Sequence, residues 1–108
     1  MKDEKYNGWT NYETWAVNLW LTSEKGSDSY WREQARDQYE KAEPSKYSTK
    51  KEVALGFFSQ QIKEELAEAN PLAGEASLWA DLLGGALSEV DWYEIAEAFM
   101  KEFGERAE

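Results

Sequence analysis

The 108-residue sequence predicts an all-α fold, a single-domain bundle of about five helices. Three observations point there. Apolar residues recur at spacings of three and four along most of the chain, and no segment alternates with period two. The pattern of an oxygen-bearing cap followed three residues later by glutamate stands before three of these runs, at Thr10–Glu13, Thr49–Glu52 and Asp91–Glu94. A chain of this length removes roughly 60 to 70% of its unfolded surface from water, enough for one core without crosslinks. The expected helices cover about 10–22, 28–43, 49–69, 75–88 and 92–103, with residues 1–8 expected as a flexible tail.

The first element opens in WTNYETWAVNLWL, residues 9–21. Thr10 is expected as the N-cap, with Glu13 reaching back to its amide. Glu13 then has a structural task, and its place among aromatics does not make it a catalytic acid. On a helical wheel Tyr12, Trp15, Ala16, Leu19 and Trp20 share a side that Val17 and Leu21 extend, leaving Asn11, Thr14, Asn18 and Thr22 as a narrow polar stripe. So broad an apolar arc predicts a central helix packed on more than one neighbour.

Ser23 to Ser27, with Gly26, reads as a turn. The second helix carries a thin seam of Trp31, Ala35, Gln38, Tyr39 and Ala42 before Pro44, and is expected to be the most exposed. Arg36 with Glu40 and Asp37 with Lys41 have ion-pair spacing. The third helix opens at Thr49, repeats Val53, Ala54, Phe57, Phe58, Ile62, Leu66 and Ala69, and stops at Asn70-Pro71. The fourth, with Leu78, Trp79, Leu82, Leu83, Ala86, Leu87 and Val90, reads as a core helix. Gly84-Gly85 would weaken it by about 1 kcal/mol each relative to alanine, which predicts close approach by a neighbour. In the last helix Val90 and Ile95 are placed as a hydrophobic staple around the Asp91 cap, Trp92, Ile95, Ala96, Phe99 and Phe103 face the core, and Gly104 is a stop.

The chemistry of the chain is narrow. It has no cysteine and no histidine, which excludes disulfides, thiolate metal sites, cysteine nucleophiles and the usual proton shuttle near neutral pH. Neither GxxxxGK[ST] nor GxGxxG is present to hold phosphates. Asp91, Glu94 and Glu97 share a helix face, as do Glu64, Glu65 and Glu68, but di-metal bundles pair such glutamates with an ExxH histidine. No cofactor, metal site or enzymatic activity is expected. MKDEKYNG lacks an apolar leader region and no run approaches the ~20 apolar residues of a bilayer span, so a cytoplasmic protein without membrane contact is expected.

Charge divides the chain. Residues 1–51 hold nine acidic and nine basic side chains, whereas residues 52–108 hold thirteen acidic and three basic, a surplus equal to the whole net charge of −10. An acidic half repels nucleic acid and is drawn to basic surfaces.

Two segments, NYETWAVNLWL and LWADLLGGALSEVDWYEIAE, together resemble a family of small uncharacterised proteins of bacteria, phages and mobile elements that share an NYETW-type opening. The resemblance implies a helical fold and a setting on mobile DNA, and it supplies no catalytic residues. The expected function is a non-enzymatic acidic module that binds a basic protein surface through Glu64, Glu65, Glu68, Glu94, Glu97 and Glu105. In its specific form the module mimics nucleic acid and inhibits a host nuclease or defence complex, since carboxylates fixed on helices can imitate a row of phosphates. Lys63 and Lys101 interrupt the acidic faces. One alternative is a nucleic-acid binder using Arg32, Arg36, Lys41, Lys46, Lys50 and Lys51 with Tyr30, Trp31 and Tyr47 to stack on bases. Another is a homo-oligomer joined through its aromatic side chains.

Overall fold

Thr49 opens the longest helix with both bonds of the expected capping box: its hydroxyl accepts the Glu52 amide at 3.1 Å, and the Glu52 carboxylate accepts the Thr49 amide at 2.9 Å. A computed structural model of the chain describes residues 5–101 and residue 103. It has five helices and no strand among those residues: α1 (Tyr12–Ser23), α2 (Lys25–Lys41), α3 (Lys50–Ala69), α4 (Leu78–Ser88) and α5 (Trp92–Phe99). The all-α bundle expected from the sequence is the fold. Its centre is α3, which packs most extensively on α5 and α2, while α1 lies against α2 and α5. Phe58, Ile62, Ile95 and Met100 are fully buried where these helices meet. On α3 the buried line is Ala54, Leu55, Phe58 and Ile62. Leu55 thus takes the place expected for Phe57, which is 63% exposed, because helices on two sides of α3 turn its covered arc slightly from the assumed stripe.

The expected turn over 23–27 is a corner at Glu24, which ends α1 and begins α2. Ser27 ties that corner by donating its hydroxyl to the Leu21 carbonyl at 2.8 Å. The α2 seam is as expected, with Trp31, Ala35 and Ala42 buried. Its far end is capped by Lys50, whose ammonium donates to the Glu40 and Ala42 carbonyls, a favourable place for a cation. Asp37 pairs with Lys41 at 3.6 Å, but the expected Arg36–Glu40 pair is not formed; Arg32 pairs instead with Asp28 at 2.9 Å.

Two helices are less covered than expected. Helix α1 does pack on two neighbours, α2 and α5, but only part of its apolar arc is covered: Thr14 and Leu21 are its buried residues, whereas Tyr12, Leu19 and Trp20 face outward and Trp20 is 73% exposed. A helix apolar over most of its circumference leaves the wheel unable to select the inner arc, and here the polar Thr14 lies inside. The most exposed helix is α4 rather than α2. No α4 residue is buried and α4 has no substantial packing partner among the helices. Among the described residues nothing lies within 4 Å of where a Cβ would stand at Gly84 or Gly85, so none of them makes the close approach expected there. Asn70, Leu72 and Gly74 make turns before α4, delaying its start to a Ser77 cap.

Helix α5 ends at Phe99, earlier than expected, and the chain continues through turns. Val90 and Ile95 are both buried, Trp92 is half-buried, and Phe103 rests on Tyr39 with ring centres 5.2 Å apart. The Gly104 stop and Glu105 lie outside the described residues.

Candidate interaction surfaces

The N-termini of α1 and α5 form one polar junction. Asn11, not Thr10, is the α1 cap, its side-chain oxygen accepting the Thr14 amide at 2.9 Å. The same oxygen accepts the Thr14 hydroxyl at 2.6 Å, and that hydroxyl accepts the Asp91 amide at 2.9 Å. The Asn11 side-chain amide donates to the Glu89 carbonyl at 2.7 Å. Glu94 completes the junction, accepting the Thr10 amide with both carboxylate oxygens at 3.1 and 3.3 Å. The Thr10–Glu13 box is therefore replaced: Asn11 supplies the cap, and the carboxylate that reaches the Thr10 amide comes from α5. Asp91 does cap α5, accepting the Glu94 amide at 3.0 Å, but its own amide goes to Thr14 rather than back to Glu94.

Before this junction, Asn7 and Gly8 both have positive φ, 49° and 88°, as a type I′ turn requires. Tyr6 and Trp9 pair across it through two 2.8 Å backbone bonds, and the Tyr6 ring meets Tyr12 and Trp15.

The acidic side chains fall into unlike settings. Glu64 and Glu68 are exposed on α3, one turn apart, with Gln60 donating to Glu64 at 2.8 Å. Glu65 belongs to a polar ladder between α2 and α3: it accepts from Tyr30 and Gln61, and Gln61 also bonds Gln34 and Gln38, all at 2.8 Å. The bond to Glu65 is the main cause that raises the Tyr30 pKa above its ordinary 10.0, with burial and the carboxylate charge adding. Burial, then Glu97 and Glu52, raises that of Tyr93. Glu97 is exposed on α5 beside Trp9 and Lys101. Of the six acids singled out in the sequence, Glu64, Glu68 and Glu97 thus stand open on the surface; Glu65 and Glu94 are engaged within the fold. Glu64, Glu65 and Glu68 lie on α3 and Glu94 and Glu97 on α5, while Glu105 lies outside the described residues.

The basic half is also dispersed. Trp31 is buried, whereas Tyr30 is exposed with its hydroxyl bonded to Glu65. Arg32 and Lys41 are paired with aspartates, and Lys50 caps α2. Arg32 and Arg36 do meet Lys101 around a recess of about 290 Å³ floored by Phe99.

Sequence reasoning missed the face of α4. Leu78, Trp79 and Leu82 are 64, 67 and 57% exposed. Between α3, α4 and the start of α5 runs a groove of about 390 Å³ lined by Leu66, Ala67, Gly84, Leu87 and Trp92, with Lys63 at its edge. The available signal was charge: residues 64–100 contain nine acids and no lysine or arginine, so α4 carries no basic side chain, only apolar ones, Asp81 and Ser88.

Among the described residues no group of three or more acidic side chains is placed to hold a metal ion, and no helix is long and apolar enough to cross a membrane. No curated protein and no solved structure matches the chain. The model of a family of unknown function, DUF7249, matches residues 2–103, from the aromatic turn through the α5 core, and the chain belongs to that family.

Proposed function

We propose that the protein is a non-enzymatic acidic module that binds a basic surface on another protein. The observation that supports it is the 37-residue stretch 64–100 with nine acids and no basic side chain, folded so that Glu64, Glu68, Asp81 and Glu97 remain exposed. Such a surface attracts cationic partners over about 8 Å in physiological salt and repels polyanions. The partner class that fits is a nucleic-acid-binding enzyme or complex, whose channel is a basic surface. The setting on phage or mobile DNA implied by the sequence resemblance makes inhibition of a host nuclease or defence complex the specific form, in a cytoplasmic location. Self-association through exposed Trp20 or Trp79 is the competing reading.

The test uses a partner recovered with the tagged chain from its native cell. Its retention is expected to fall steeply as salt rises and to be lost when Glu64, Glu68 and Glu97 are together replaced by lysine. Replacing Arg32 and Arg36 by glutamate should leave it, and the parent should not shift DNA or RNA in a gel. A shifted nucleic acid, or a partner indifferent to the triple reversal, overturns the reading.

A further inference from the structure

The outward side of α4 is apolar where an unpacked helix is ordinarily polar. Leu78, Leu82 and Gly85 follow at steps of four and three residues and so form one line along the helix. Trp79 stands on one flank of that line and Asp81 on the other. Both leucines and the tryptophan are more than half exposed, and no other helix packs substantially on α4. A glycine weakens a helix interior, and Gly85 leaves open space that none of the described residues fills. Close approach by a backbone is what such a glycine permits, and none of the described residues makes that approach.

Charge selects the visitor. Glu75, Asp81 and Glu89 stand exposed along or just outside α4, and no cation lies between Lys63 and Lys101 in the chain. A second copy would bring acid against acid. A basic amphipathic helix offers leucine-like side chains to Leu78, Trp79 and Leu82 and cations to Asp81, the familiar manner in which an amphipathic helix occupies an apolar surface. We infer that the Leu78–Leu82–Gly85 line of α4 docks a basic amphipathic helix of a partner protein, with the partner crossing at Gly85. This inference rests on the protein-binding reading and names its contact.

The probe is a dye-labelled helical peptide of about five turns, with leucine on one face and lysine elsewhere, titrated by anisotropy. The parent should bind it saturably, with amide shifts confined to α4 and its flanks. Leu82→Glu should weaken binding about tenfold or more, as should Gly85→Met, which fills the crossing point while keeping good helix propensity. Circular dichroism and melting of both variants should match a folded chain. The sign is decisive, because Leu82→Glu adds negative charge: a peptide held by charge alone binds that variant more tightly, and that result overturns the proposal. So does a parent that fails to bind, or a dimer that Leu82→Glu dissociates, which would assign the line to a second copy. The cellular partner separates this inference from the broader one. Sensitivity to lysine at Glu64, Glu68 and Glu97 but not to Leu82→Glu removes the α4 site and leaves the protein-binding reading standing; indifference to both removes both.

Discussion

The Thr14 hydroxyl accepts the Asp91 amide at 2.9 Å, joining the first turn of α1 to the cap of α5 across 77 residues of sequence. That hydroxyl is fully buried and also donates to the Asn11 cap, so the two helix starts share one hydrogen-bond chain. Helix N-termini hold unpaired amides and a partial positive charge, and bringing two of them together requires acceptors between them. Asn11, Thr14, Asp91 and Glu94 are those acceptors. The two segments that mark this chain at the sequence level, NYET and SEVDWYE, are therefore halves of one junction.

Thr14→Val keeps the shape of the side chain and removes the oxygen. It leaves the Asp91 amide without its acceptor, so unfolding in urea should show a loss of about 1 to 3 kcal/mol. Thr14→Ser, which retains the hydroxyl, should lose less. Equal stability of the valine variant and the parent would show that water replaces the bond at no net cost.

Moving the cap from Thr10 to Asn11 changes which variants matter. Asn11→Ala should destabilise by about 0.5 to 2 kcal/mol, as for other caps. Thr10→Ala should be nearly silent, since the Thr10 amide, not its side chain, meets Glu94. Glu94→Ala should cost about 1 kcal/mol, while Glu13→Gln should leave the melting midpoint in place. A Thr10→Ala variant less stable than Asn11→Ala would contradict this geometry.

How much of this was legible depended on whether the deciding contact was local. The Thr49–Glu52 box and the Asp91 cap lie within one turn of sequence, and they form as the spacing predicts. The α2 seam is thin, so the wheel left it a single inner arc, and Trp31, Ala35 and Ala42 occupy it. Helix α1 offered apolar residues nearly all round, and its inner side was settled by Thr14 bonding a residue 77 positions away, which no helical period encodes. The same limit applies to the acidic site. Spacing placed Glu94 on a helix face, but only the long-range bond to Thr10 shows that it is already engaged, while Glu64, Glu68 and Glu97 are open. For α4 the regular apolar stripe was read as a core face, but periodicity reports that a helix has an apolar side and not whether this chain covers it, and no α4 residue is buried.

The Tyr30–Glu65 bond should be visible in alkaline titration. Its proton favours the folded state, so the folded pKa is raised; the contribution is fully present below the ordinary value of 10.0 and is lost as pH rises through the folded value. Carbon NMR of the phenol should place Tyr30 ionisation above that of a free tyrosine. Glu65→Ala should bring it down, while Tyr93, raised first by burial and then by Glu97 and Glu52, should not follow. If the two tyrosines move together, the Tyr30 shift does not come from Glu65.

Gly84 and Gly85 give the sharpest contrast between the free chain and a bound one. Close packing within the fold would make alanine there destabilising, by about 1 to 3 kcal/mol in a dense core. The space around both residues is open and neither needs a positive φ, so helix propensity alone should act. Each Gly→Ala change should therefore raise stability by up to about 1 kcal/mol, read as a higher melting temperature. If a partner helix crosses at Gly85, the methyl of Gly85→Ala should stabilise the free protein while weakening its complex, whereas Gly84→Ala, on the groove side of the helix, should stabilise the protein with less effect on that contact. A lower melting temperature for both alanine variants would mean that the glycines are packed within the chain after all, and the crossing at Gly85 would lose its support.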